Sequence, residues 1–391
     1  MVNNYMEKFW EDILKERESR NLKRTLRRFI PLGPTRGFMG GKNILLFCTN
    51  NYLGLTHHPR VISAVLEAAQ KWGTGAGSSP LISGYTQLHE ELCEGLARFK
   101  GTEAALLFPS GYGANVGLIS SLAGPEDVVF ADRLIHASLL DGVRLSGAKL
   151  VRFRHNDIDH LEKLLTHHKG RRRLLVTEGV FSMEGDCAPL AQLAALAREK
   201  DLLLVVDDAH GTGVLGPQGR GTLADQKVEP AGIVITGTLS KALASVGGFV
   251  AGDRNLISFL VNKSRSFIFS TSPPPPAVAA ALAALKLLEE DPLPLRLLRA
   301  NMDLLARGLR DLGLPCTGET PIFPIILGSE ESALKASSLL YDRGFYVPAI
   351  RPPTVPPGTC RLRISVSASH SPEEIRDLLK SLKGVVRELK C

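Results

Sequence analysis

No apolar run in this sequence approaches the length of a membrane span, so a transmembrane helix is not expected. The six cysteines (Cys48, Cys93, Cys187, Cys316, Cys360 and Cys391) form no Cys-x-x-Cys pair and keep no regular spacing. They read as thiols of a reducing compartment, neither a disulfide frame nor a zinc site. Aromatic residues make up only 6%, and no basic stretch is interleaved with them. A nucleic-acid stacking surface is therefore not expected, although the formal charge is +7. There is no dinucleotide fingerprint, no phosphate loop ending in Gly-Lys-Ser/Thr, no internal repeat and no low-complexity tract. The opening segment, Met1 to Trp10, lacks a charged region followed by an apolar run, so the expectation is no signal peptide and a cytoplasmic protein.

What remains is an ordinary globular composition: 391 residues, 44% hydrophobic and 22% charged, enough for a sizeable core and two domains. A basic segment from about Met6 to Arg28 carries a thin apolar face (Phe9, Ile13, Leu14, Leu22, Leu26) and predicts one helix. Turn-rich sequence then leads to a short strand near Ile44–Phe47. From Pro59 to about Pro276 helical and strand patterns alternate. Strands are expected at Ala104–Phe108, Val128–Ala131, Leu150–Phe153, Leu174–Thr177, Leu202–Val206, Ile233–Thr236 and Gly248–Ala251. This alternation implies an α/β domain with a mostly parallel, seven-stranded sheet covered by helices on both faces. After Ser272-Pro-Pro-Pro-Pro276 come two helices, then a strand–helix–strand–strand–helix run that predicts a smaller α+β domain. The expected division is 1–55, 56–287 and 288–391.

Ligands of such sheets bind at the carboxyl ends of strands, and Asp207-Asp-Ala-His210-Gly-Thr-Gly213 directly follows the most apolar one. Farther along, Lys241 sits in Gly237-Thr-Leu-Ser-Lys241 among small and hydroxyl residues, with Gly247-Gly248 close behind. A lysine amine can form a Schiff base with the aldehyde of pyridoxal 5'-phosphate, while an acid keeps the pyridine nitrogen protonated and the ring an electron sink. Thr238 and Ser240 offer hydroxyls to a phosphate. Ser110-Gly111-Tyr112-Gly113 follows a strand and opens a helix, where free N–H groups favour anions, though a plain strand–helix turn reads the same. Asp207 and His210 could also be metal ligands, but no further ligands cluster with them, so no metal is expected. His136 fits a helix cap as well as a ring lying flat on a cofactor. Arg361 and Arg363 share one strand face, suited to gripping a carboxylate or to solvation.

Together these segments resemble the α-oxoamine synthases, pyridoxal-phosphate enzymes of the aspartate-aminotransferase-like fold type I. The resemblance runs from Asn50-Asn-Tyr-Leu-Gly-Leu through Ile82-Ser-Gly-Tyr, Thr177-Glu-Gly-Val-Phe-Ser-Met-Glu-Gly-Asp186 and the Asp207 and Lys241 motifs to Arg363. His210-Gly-Thr-Gly213 and Ala349-Ile-Arg-Pro-Pro-Thr-Val-Pro-Pro-Gly-Thr359 point to the biotin-pathway branch. That resemblance implies decarboxylative condensation of L-alanine with a pimeloyl thioester of coenzyme A or acyl carrier protein. It implies that Lys241 carries the cofactor, Asp207 pairs with its ring nitrogen and His210 with its ring hydroxyl. His136 would stack on the ring, Ser182 would also touch it, and Thr238, Gly111 and Tyr112 would hold the phosphate. Asn50 and Arg363 would bind substrate carboxylate, with His136, Arg24 and Thr354 near the substrates. A homodimer is implied, with the segment Phe269–Ser272 crossing to the partner; composition and the lack of long apolar runs already set aside nucleic acid and membrane as partners. One departure is Pro80, where family members often carry Arg after Gly-Ser. Other family members (glycine C-acetyltransferase, serine palmitoyltransferase), an aminotransferase, or a non-catalytic subunit are the alternatives. The last would be expected to lack the Schiff-base lysine.

Overall fold

The computed structural model describes the backbone of residues 4–390, so Cys391 and Met1–Asn3 lie outside the described residues. By compactness the chain divides into one unit of Asn50–Arg299 and another that joins the chain up to Thr49 to the chain from Ala300 onward.

The Asn50–Arg299 unit is built on seven strands: β1 (Ala104–Phe108), β2 (Val128–Asp132), β3 (Lys149–Phe153), β4 (Arg173–Glu178), β5 (Leu203–Asp207), β6 (Ile233–Thr238) and β7 (Gly248–Gly252). Their order is β1-β7-β6-β5-β4-β2-β3, and β7 alone runs antiparallel to both neighbours. Each expected strand is present within two residues of its predicted ends. The non-edge strands β2, β6 and β7 are buried along their whole length, which is why they do not read as alternating runs. Val205, Val206, Leu175 and Val176 are fully excluded from solvent and form the middle of the core.

The second unit holds a three-stranded sheet of Ile322–Gly328, Cys360–Ser365 and Ala349–Ile350, and a four-stranded one whose members include Arg36–Met39 and Lys42–Leu46. Two features differ from expectation. The basic segment is helical only over Asn4–Ser19, because Asn21 turns left-handed (φ 55°) and the N–H groups of Leu22 and Lys23 fold back onto Arg17 O. The stretch read as turns before Ile44 contains two short strands, Phe29–Pro31 and Arg36–Met39. Among the described residues no helix is long and apolar enough to cross a membrane. The five described cysteines are free thiols, and burial pushes Cys93 up to about 12.

Candidate active site

Three neighbouring strand ends make the floor of the site. β5 delivers Asp207, which is 6% exposed. Its Oδ2 accepts from Asn115 Nδ2 at 2.6 Å and its Oδ1 from the Ala209 N–H at 3.0 Å. Asn115 lies on α1 (Gly111–Leu122) and also donates to Ser138 Oγ at 2.9 Å, so two helices brace the carboxylate. On one side β4 ends at Glu178, the cross-strand partner of Asp207. On the other side β6 ends at Thr238.

Beyond β6 the chain turns back sharply. Leu239 N–H donates to Gly247 O (3.0 Å), Ser245 N–H to Leu239 O (2.9 Å), and Ala244 takes a left-handed φ of 53°. This turn brings Lys241 Nζ to 2.8 Å from His210 Nε2. His210 Nδ1 lies 2.7 Å from the Tyr52 hydroxyl, which donates to Asn50 Oδ1 at 3.3 Å. One proton assignment satisfies the row: Lys241 donates to Nε2, Nδ1–H donates to Tyr52, and Tyr52 donates to Asn50.

The start of α1 supplies an anion cradle. Ser110 caps it by accepting from the Gly113 N–H at 3.0 Å, and the Gly111 and Tyr112 N–H groups belong to the first turn, where no intrahelical acceptor exists. Facing them, Thr238 Oγ1 lies 2.7 Å from Ser240 Oγ and donates to Gly247 O at 2.9 Å. Close approach depends on glycine: a Cβ on Gly248 would come within 2.6 Å of Gly111 N.

His136 takes the capping role that its sequence context offered, and its ring also lines the cavity. It caps α2 (Ala137–Ser146), accepting from the Ser138 N–H at 3.3 Å with Ser138 Oγ 2.7 Å away. Burial lowers its pKa; Lys241 adds to this, and Asp207 and Asp141 oppose it, so the neutral ring is favoured. The Tyr112 hydroxyl donates to Asp141, an acceptor that raises the phenol's pKa.

These groups line one cavity of about 240 Å³ that holds Gly111, Tyr112, His136, Asp207, His210, Thr238 and Lys241 together. Ser182 and Asn50 are not among its lining residues. Ser182 N–H donates to Glu178 Oε2 at 3.3 Å, and Asn50 connects through Tyr52. Arg24, Thr354 and Arg363 belong to the other unit. There Arg24 donates to Pro352 O at 3.0 Å, Thr354 is exposed, and Arg363 is buried with Nη1 donating to Ser365 Oγ at 2.8 Å. Sequence reasoning missed the contributions of Tyr52, Asn115, Ser138 and Glu178. Glu178 did carry a signal, an acid ending the apolar strand next to that of Asp207. A larger groove of about 490 Å³ on the helices Pro59–Trp72 and Pro275–Glu290 gathers none of these groups, so volume alone does not find the site.

The donor set fits pyridoxal phosphate. A cradle of helix N–H groups and two hydroxyls suits a phosphate, a buried carboxylate suits a pyridinium nitrogen, and the Lys241 amine lines the same cavity. Relatives agree. The profile of the family "Aminotransferase class I and II" matches residues 42–382. A protein of Desulforudis audaxviator (strain MP104C), provisionally named an 8-amino-7-oxononanoate synthase, is 57% identical over 98% of this chain and 100% of its own length. Further curated relatives down to 45% identity carry the same name. Among solved structures, a serine palmitoyltransferase from S. paucimobilis with a bound PLP–myriocin aldimine superposes with a TM-score of 0.93 at 34% identity. It covers 99% of this chain and 100% of that one. An 8-amino-7-oxononanoate synthase from Francisella tularensis gives a TM-score of 0.76 at 29% identity, covering 89% and 99%. The cavity and these relatives agree that the chain belongs to the aminotransferase class I and II family and, within it, to the fold type I, pyridoxal-phosphate-dependent α-oxoamine synthases.

Proposed function

We propose that this chain condenses L-alanine with a pimeloyl thioester of coenzyme A or acyl carrier protein, releasing carbon dioxide and free thiol to give 8-amino-7-oxononanoate for biotin synthesis. The 57% identity to a protein of that name over nearly the whole chain carries the reading. The higher TM-score to a serine palmitoyltransferase favours a second reading, a family member with another amino acid and acyl group. A panel of alanine, glycine and serine against pimeloyl-, acetyl- and palmitoyl-thioesters, read as thiol release, tests it. Turnover confined to alanine with pimeloyl thioester is expected, and preference for serine with palmitoyl thioester would replace the reading.

Pyridoxal phosphate, when bound, supplies an electron sink for negative charge developing at the substrate Cα. The chain's own residues do the rest. Lys241 would hold the cofactor, and its Nζ, when unbound, would take the Cα proton and later return it. His210, 2.8 Å away, orients that amine and meets the ring hydroxyl. Asp207 pairs with the ring nitrogen, and burial keeps water from weakening that pair. Neutral His136 would lie against the ring face, and the family resemblance assigns Ser182, which follows Glu178 in the chain, a further contact with the cofactor. Thr238, with Gly111 and Tyr112, holds the phosphate. The family resemblance assigns Asn50 and Arg363 to the amino-acid carboxylate and Arg24 and Thr354 to the acyl substrate. Replacing Lys241 by Ala is expected to remove the visible absorbance of the cofactor-loaded protein and its turnover. An unchanged spectrum would refute the assignment.

The protein acts as a homodimer in the cytoplasm, and exposed Leu81, Ile82 and Phe269 supply an apolar face for a second copy.

A further inference from the structure

The cavity contains one ionisable group with no part in the chemistry above. Glu178 closes β4, is 3% exposed and lines the cavity beside Asp207. Its two oxygens differ. Oε2 accepts from the Ser182 N–H at 3.3 Å, whereas Oε1 is buried and has no hydrogen-bond partner. Asp207, by contrast, has both oxygens occupied as acceptors. Two buried carboxyl groups on adjacent strands cannot share a small cavity as two anions without a large cost, so one of them keeps its proton. The proton belongs on Glu178, and on Oε1, because Oε2 is already an acceptor. A buried hydroxyl donor without an acceptor is costly unless a ligand supplies one.

Strand order indicates which acceptor. The phosphate cradle includes Thr238 at the end of β6, the ring-nitrogen partner is Asp207 on β5, and Glu178 is one strand farther on, at the end of β4. In pyridoxal phosphate the phosphate arm and the 3-oxygen flank opposite sides of the axis through the ring nitrogen. With the arm toward β6 and the nitrogen over β5, the 3-oxygen edge faces β4. We propose that Glu178 is a neutral carboxylic acid whose Oε1 hydroxyl donates to the 3-oxygen of the cofactor ring. This rests on the cofactor orientation assigned above to Asp207 and Thr238. Burial, seconded by Asp207, pushes the Glu178 pKa well above the ordinary carboxylate range; Glu184 adds to this, and Lys241 and the Ser182 N–H oppose it.

The test compares Glu178→Gln, which keeps a neutral donor, with Glu178→Ala, which removes it. The loaded proteins are titrated by their visible absorbance, and cofactor dissociation constants are measured from the apoproteins. Donation to the 3-oxygen stabilises the fully deprotonated chromophore, so its loss raises the titration midpoint. Glu178→Gln should match the wild type, while Glu178→Ala should bind cofactor about tenfold more weakly and titrate about one unit higher. Equal shifts in both variants would show an ionised carboxylate and overturn the proposal, as would no shift in either. Should a variant fail to fold, infrared spectra of wild-type apoprotein at neutral pH decide. A protonated-carboxyl band is expected there and shifts on isotope labelling of glutamate; its absence overturns the assignment. A wild-type protein without any visible band would instead sink the assignment of the cofactor to Lys241, on which the reading of the site rests. The substrate panel has no bearing on any of these readouts.

Discussion

At the scale of single residues, the row Lys241–His210–Tyr52–Asn50 shows how one amine is held ready. A free lysine side chain samples many rotamers. Here its ammonium has a fixed acceptor at 2.8 Å, and that acceptor's tautomer is set by a buried phenol. Tyr52 is fully buried, so its hydroxyl cannot be replaced by solvent. Replacing Tyr52 by Phe removes the hydroxyl that lies 2.7 Å from His210 Nδ1. We expect cofactor binding to survive while kcat falls roughly tenfold, the cost of one buried hydrogen bond. Visible absorbance and steady-state turnover check this together, and unchanged kcat would remove Tyr52 from the relay. His210 and Lys241 were legible in the sequence because their motif brackets one strand and one turn. Tyr52 was not, because its partner lies 158 positions away and only folding brings the rings together.

Single elements in this protein act through their ends. His155 follows β3 and stands between Asp132, the last residue of β2, and Asp186, in the loop that carries Ser182. Nδ1 lies 3.1 Å from Asp132 and Nε2 2.9 Å from Asp186, and the ring meets Phe181 edge-on with centroids 4.4 Å apart. Burial disfavours the cation, but the two carboxylates outweigh it and raise the pKa to about 10. A histidine with a raised folded pKa contributes its stability in full below the unfolded value of about 6.5 and loses it as pH rises toward the folded value. Replacing His155 by Gln should therefore destabilise by about 3 kcal/mol near neutral or lower pH, from two carboxylates left unpaired. The gap from wild type should shrink as pH approaches about 10. Urea midpoints at both ends of that window test it, and a gap independent of pH would show that the ring is uncharged. Helix and strand positions were legible from apolar periodicity. The early end of the first helix at Ser19 was not, since it depends on Asn21 adopting a left-handed turn that composition does not announce.

At the scale of the whole molecule, surface and boundary are decided by packing. Ile82 is 80% and Phe269 70% exposed, a high cost for a lone chain in water. The Ser272 N–H donates to Ser78 O at 3.1 Å, which ties their two segments together. Sedimentation is expected to show a species of twice the 42.3 kDa chain mass, and the double substitution of Ile82 and Phe269 by Asp should favour the monomer. A fully active monomer would exclude the shared site. The sequence division at 287/288 follows the break near Asp291-Pro292, whereas by compactness the chain divides between Arg299 and Ala300, inside the helix Leu293–Asp311. Proline marks where a helix starts, not which core its apolar face joins.

By itself the sequence determined the sheet and the cofactor class, because apolar runs, turns and small hydroxyl-rich motifs act over a few neighbouring residues. Tertiary structure alone decided that Asn115 braces Asp207, that Tyr52 sets His210, and that Glu178 faces the cavity with a free oxygen. Each of these depends on strand order and helix packing that bring distant residues within hydrogen-bond reach, and on burial, which makes such contacts costly to leave unmade.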